Sequence, residues 1–256
     1  MHLTAEGAAF YSKCIDIMAR IDEAKAALTQ SPQLSGTLFI EVPIAFGQMV
    51  LAPALTEFAA NNPELRLVVG FTNEIGRLLN RGVDVAIRMD EVDDGDLVAR
   101  WLCEAKHVLC ASPDFLRLQG LPSHPKQIDP LQCFGYTPNF WSDPRPWNFN
   151  LNGEVHKIEP KSNLTFNSNA ALMDHAVKDG GFIYVLEIFA RRQLQSGELI
   201  PVLPDWTTAS QTFYAVYPKT RHLSPKLDRF LRFLHSVFDV KPSKESVVIP
   251  PLTSRR

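Results

Sequence analysis

Hydroxyl, carboxamide and bare backbone N–H donors gather at three points of this chain, with no nucleophile and base side by side among them. The points are Pro43-Ile44-Ala45-Phe46, Thr72-Asn73 and Asn167-Ser168-Asn169. Each lies where an extended run gives way to a turn or helix. Helix N-termini leave N–H groups unpaired at such junctions, so the chemistry suits holding a small anion and not transforming it. The plainer reading is that Thr72, Ser168 and Asn169 are helix caps, because caps favour these residue types. Arg88 closes an extended run, where it could meet a carboxylate ligand or bridge to Asp90 or Asp93 at the surface. Cys103, His107 and Cys110 come nearest to a metal-binding pattern, but no fourth ligand stands near and their apolar neighbours read as strands with a turn between. No metal and no cofactor is expected, and apolar surroundings argue against Cys110 as a reactive thiol. Gly180-Gly181 precedes a strand and reads as a helix stop, not a phosphate loop.

The elements that would position these residues follow from the hydrophobic pattern. Leu3, Gly7, Phe10, Cys14, Ile17, Ile21, Ala24 and Leu28 are spaced 4, 3, 4, 3, 4, 3, 4. A repeat of this kind carries a narrow apolar seam, which a second helix must cover. Residues 1–31 therefore read as a dimerisation helix, capped by Thr4 and stopped by Ser31-Pro32. Phe10, Cys14, Ile17, Ile21, Ala24 and Leu28 form its contact seam.

Beyond Pro32 the pattern alternates. Strands are predicted at 37–42, 65–71 and 83–88, with helices at about 50–59 and 75–80 between them, which implies a parallel sheet. An acidic loop at 90–96 leads to two strands, 97–102 and 107–111. Residues 120–162 contain seven prolines and lose regularity; Trp141 and Trp147 within them read as packing anchors. Order returns with a strand at 163–166, a helix at 169–178, a strand at 182–185, a helix to Leu194, strands at 199–202 and 212–217, and a last helix ending at Phe238. Two α/β lobes result. Lobe I spans about 35–112 and 217–240, lobe II about 113–216, and both crossings fall near Ser112-Pro113 and Tyr217-Pro218. Residues 241–256 read as a disordered tail.

Composition narrows the function classes. The chain has 256 residues, 45% hydrophobic and 21% charged, with a net charge of -2, so it shows globular values and no basic footprint for nucleic acid. The four cysteines are scattered, as in a reducing compartment. No early basic-apolar leader and no apolar run of spanning length is present, which places the protein in the cytoplasm with no membrane partner.

Several ordered motifs carry a family resemblance. Leu3-Thr4-Ala5-Glu6-Gly7 through Tyr11, Ser35-Gly36-Thr37-Leu38, Pro43-Ile44-Ala45-Phe46-Gly47, Gly82 through Arg88, Leu97-Val98-Ala99-Arg100, Ala111-Ser112-Pro113, Ser196 through Asp205 and Tyr214 through Pro218 stand in the order of a LysR-type transcriptional regulator, which the chain resembles from Leu3 to about Phe238. The resemblance implies a linker helix joined to a two-lobed α/β effector domain of the type II periplasmic-binding-protein fold, at 35–240. It implies a homodimer or homotetramer, a small-molecule effector in the inter-lobe cleft near Ala45, Phe46, Thr72, Ser168 and Asn169, and control of transcription. DNA contact would belong to a helix-turn-helix head, which precedes the linker helix in the family and is not found in these residues. Leu186-Glu187 departs from the Leu-Pro that many members carry. A stand-alone solute-binding protein or an enzyme on the same fold are the alternatives.

Overall fold

A computed structural model of the chain describes Thr4, Gly7, Phe10, Cys14, Ile17, Ile21 and residues 34–73, 82–89, 96–139, 141–219 and 224–238. The predicted helix at 75–80, the acidic loop, Ala24, Leu28 and the predicted tail fall outside the described residues.

These residues divide into two compact units, one up to Cys103 and from Thr212 onward, the other Glu104–Gln211. The divide lies inside two strands. The first of these strands, β4 (Leu97–Ala111), is a single 15-residue element. The two shorter strands predicted here are one, because Glu104-Ala105-Lys106 offers no glycine, proline or other turn former to break the extended run.

In the first unit β1 (Gly36–Val42) pairs in parallel with β2 (Leu65–Phe71) and with β3 (Val85–Met89). β1 and β3 carry near-continuous apolar runs and are largely buried, whereas β2, at the end of the strand order, is buried only at Leu65. β12 (Ser210–Pro218) runs antiparallel to β3 and lies next to β4, so the order is β2-β1-β3-β12-β4.

The helix after β1 has three parts. α1 (Ile44–Phe46) passes into a π-helical turn (Gly47–Leu51) and then α2 (Ala52–Ala60). Pro53 lacks the N–H that an α-helix would direct to Met49, and the wide turn just before it absorbs that loss: Ala52 N–H reaches back to the Gly47 carbonyl instead. Gly47 has no substitute there, because a Cβ would sit 2.7 Å from the Val42 side chain and the Phe71 ring.

The last helix, α6 (Pro225–Val237), begins at Ser224, whose hydroxyl accepts from Leu227 N–H, and buries Leu227, Phe230, Leu231 and Leu234. Phe230 and Phe233 pack on Phe58 of α2, while Phe46 stacks between Phe213 and Phe238. This aromatic layer is the core of the unit.

His235 is also a buried residue of α6, 2% exposed, and neither ring nitrogen has a hydrogen-bond partner among the described residues. Burial pushes its pKa below the ordinary 6.5, and the charge of Arg100 adds to this. The folded chain then takes up a proton less readily than the unfolded one. Stability is complete above the ordinary histidine value and falls as the pH drops below it towards the depressed folded value. Urea titrations between pH 8 and 5 should show that slope, and His235→Leu should flatten it while raising stability at pH 7 by about 1 kcal/mol. His107, also lowered by burial, contributes the same sign and leaves a residual slope.

The second unit holds β5 (Cys133–Tyr136), β8 (Thr165–Phe166) and β9 (Phe182–Leu186), ordered β4-β9-β5-β8, with β10 (Ile200–Val202) against the other edge of β4. Its helices are α3 (Pro113–Gln119), capped by Ser112, then α4 (Asn169–Val177) and α5 (Glu187–Ser196). α4 ends as expected at the glycine pair, where Gly180 N–H returns to the His175 carbonyl at 3.1 Å.

The proline-rich stretch proves ordered. It contains 3-10 turns at Pro125–Gln127 and Pro130–Gln132 and a hairpin of β6 (Trp147–Leu151) and β7 (Glu154–Ile158). Asn152 and Gly153 make its two-residue turn with φ of 53° and 89°, the combination that matches strand twist. With β11 (Thr207–Thr208) the hairpin forms a separate three-stranded sheet. Trp147, 2% exposed, is an anchor as predicted; Trp141 is 96% exposed and anchors nothing, because it sits in the loop before β6 and not on the strand's inner face.

Candidate functional site

In the first unit the expected residues meet where β1 and β2 end. Pro43 offers no side chain to cap α1, and Asn73 supplies the bond from 29 residues away: Ile44 N–H donates to Asn73 Oδ1 at 3.1 Å. Thr72 N–H donates to the Val42 carbonyl at 2.9 Å, which extends the β1–β2 ladder by one rung and fixes Asn73 over the helix start. Ala45 is half-buried on the first turn, whose N–H groups have no intrahelical acceptor. Phe46 is fully buried in the aromatic layer, so its side chain belongs to the core and only its backbone faces the helix start.

Arg88 has a partner that neither expectation named. Its guanidinium pairs with Glu41 on β1 and donates to the Ile87 carbonyl at 3.1 Å, with side chains 12% and 9% exposed. The sequence hides this partner, because Glu41 lies 47 residues away and becomes a neighbour only when β1 and β3 pair.

In the second unit Ser168 is the N-cap of α4, its hydroxyl accepting from Ala171 N–H at 3.3 Å. The cap reading therefore holds for this residue, although a hydroxyl that accepts one bond retains its own proton for donation. Asn169 is the first helical residue, half-buried, and Asn167 is exposed beside it. The starts of α1 and α4 carry no acidic residue in the first turn, whereas α3, α5 and α6 carry Asp114, Glu187 and Asp228. The positive ends of these two helices thus carry no counter-charge in their first turns. Glu187 is exposed and finds its place at such an end.

Cys103, His107 and Cys110 share β4. Along a strand Cys110 faces away from Cys103 and His107, and four residues separate those two by about 13 Å, so the three cannot converge. Burial pushes the Cys110 and Cys133 thiols up to about 12, which leaves both unreactive at neutral pH. At the hairpin a group that no spacing announced comes together. His124 and His156 both approach Glu154 Oε1, at 3.4 and 2.8 Å.

The helical residues at the N-terminus start as expected. Gly7 N–H donates to Thr4 Oγ1 at 3.0 Å, and Gly7, Phe10, Cys14, Ile17 and Ile21 are helical. Phe10, Ile17 and Ile21 are 71%, 57% and 42% exposed.

Residues 31–239 match the LysR substrate binding domain, and the chain belongs to that family. An uncharacterized HTH-type transcriptional regulator of Haemophilus influenzae is 30% identical over 225 residues, covering 88% of this chain and 77% of that protein. CrgA, a LysR-type transcriptional regulator from Neisseria meningitidis, is similar in structure with a TM-score of 0.70 and 26% identity, over 92% of this chain and 80% of that one. The Vibrio cholerae virulence activator AphB shares the fold at a TM-score of 0.68 and 22% identity, over 92% of this chain and 80% of that one. The fold is the type II periplasmic-binding-like fold of these regulatory domains.

Proposed function

We propose that this chain is the effector-sensing and pairing part of a LysR-type transcriptional regulator, and that it binds a small anionic molecule. The observation that carries the reading is the family match, which spans both compact units. The anionic preference is supported by the two helix starts without first-turn acids, α1 and α4, and by the donors at Ala45, Thr72, Asn73, Asn167, Ser168 and Asn169. Arg88 serves the framework in this reading, since Glu41 already neutralises its charge. No catalytic residue is assigned, because the buried thiols are unreactive. DNA contact falls to a helix-turn-helix segment, and the protein works in the cytoplasm where DNA is. Among the described residues no helix is long and apolar enough to cross a membrane.

Pairing is supported by the exposed seam of Phe10, Ile17 and Ile21. Light scattering at tens of micromolar should give at least twice the 28.7 kDa of one chain, and Ile17→Glu should return it to a monomer. A monomer in the parent chain would remove the pairing role. For the effector, a thermal-shift screen of small carboxylates should find a stabilising compound. Thr72→Ala with Ser168→Ala should then weaken its calorimetric affinity by about 1–3 kcal/mol, beside a loss of about 1 kcal/mol in stability from the Ser168 cap. Unchanged affinity would exclude these two side chains from the site.

A further inference from the structure

The group at the hairpin is made of the residue types that hold late first-row metals. His124 comes from the start of the first 3-10 turn, and Glu154 and His156 from one face of β7, two residues apart. Their ligand atoms lie within 4.8 Å of one another. An ion about 2.1 Å from each ligand in tetrahedral geometry holds neighbouring ligand atoms about 3.4 Å apart. The Glu154–His124 distance is 3.4 Å and the Glu154–His156 distance 2.8 Å, so small side-chain rotations complete the set. Trp206 packs edge-on against both imidazoles, at 5.1 and 5.5 Å between ring centres, and walls the group on its apolar side. Glu154, 52% exposed, leaves the other side open to water for a fourth ligand.

We propose that His124, Glu154 and His156 form a metal site for a divalent ion of the zinc class, which fastens the edge strand β7 to the 3-10 turn. Two imidazoles and one carboxylate, with an open position, suit zinc; copper(II) binds the same donors more tightly. Two local groups oppose the ion and set its affinity. Lys126 Nζ stands 3.9 Å from Glu154, but its side chain is 71% exposed and can swing into water. Lys126 N–H donates to His124 Nδ1 at 3.1 Å, whereas coordination through Nε2 puts the imidazole proton on Nδ1. Metal uptake therefore exchanges this cap for a coordinate bond, and binding couples to the shape of the turn. Affinity in the micromolar range follows, not that of a closed four-ligand site.

Chelator-treated full-length chain titrated with zinc chloride should bind one ion per chain and melt at a higher temperature. His156→Ala and Glu154→Gln should each weaken binding by about tenfold or more, and Lys126→Ala should tighten it. Copper(II) chloride should quench the parent's tryptophan fluorescence, and Trp206→Phe should remove most of that quench with the other three tryptophans in place. This second measurement uses no ligand variant and stands even where a ligand variant misfolds. Absence of saturation up to about 100 µM zinc, or unaltered binding in a folded His124→Asn/His156→Asn variant, would overturn the site.

Discussion

Arg88→Met should lower the unfolding free energy by about 3–5 kcal/mol, and Glu41→Leu added to it should restore most of that loss. The reason is the place of the pair. Both side chains are nearly out of water, so removing the guanidinium leaves the Glu41 carboxylate in low dielectric without its arginine. Removing both charges removes the desolvation cost as well. Urea unfolding of the two single variants and the double variant gives the coupling directly. Had Arg88 been an effector ligand, as its strand-end position first suggests, the single variant would lose affinity and keep its stability. The opposite pattern is the expected one.

Phe46→Ala should cost about 3–5 kcal/mol and lower the melting midpoint by about 10 °C. Its ring is fully buried and stacks with Phe213 at 5.5 Å and Phe238 at 5.6 Å. The cavity would open against Phe213 of β12 and Phe238 just beyond α6. Differential scanning calorimetry measures the loss. Phe46→Leu, which keeps most of the volume, should recover more than half of it. A stability loss with retained effector affinity would place the side chain in the framework and leave only the Phe46 backbone at the site.

The first unit was largely legible because its elements obey period rules. β1 and β2 fall within one residue of their predicted bounds, α6 ends one residue before Phe238, and the helix stop at Gly180-Gly181 and the start at Thr4 follow from local chemistry. What the sequence concealed has two causes. One is proline density. The prolines between 120 and 162 mask alternating Trp147, Phe149 and Leu151, although Asn152-Gly153 after them is a strong hairpin signal. The other is distance along the chain. Glu41 meets Arg88, and His124 meets Glu154, only through strand pairing and hairpin docking, and no local pattern encodes such meetings. The candidate donors were legible as residue types, and the capping role of Ser168 with them; that Asn73 caps the other helix from 29 residues away required coordinates.

The wide turn at Gly47–Leu51 also sets an angular phase. Phe46 and Phe58 are twelve residues apart, and in an uninterrupted α-helix they would point about 120° from each other. One extra residue absorbed in the π turn makes the interval count as eleven, and the two rings align within about 20°. Both then reach aromatic partners, Phe238 and the pair Phe230 and Phe233. Deleting a single residue such as Gln48 would leave eleven positions in a regular α-helix and keep the two rings within about 20°, whereas forcing all twelve into regular α geometry would turn one ring about 120° away from its partners, so what looks like a local irregularity acts as the vernier of the whole helix.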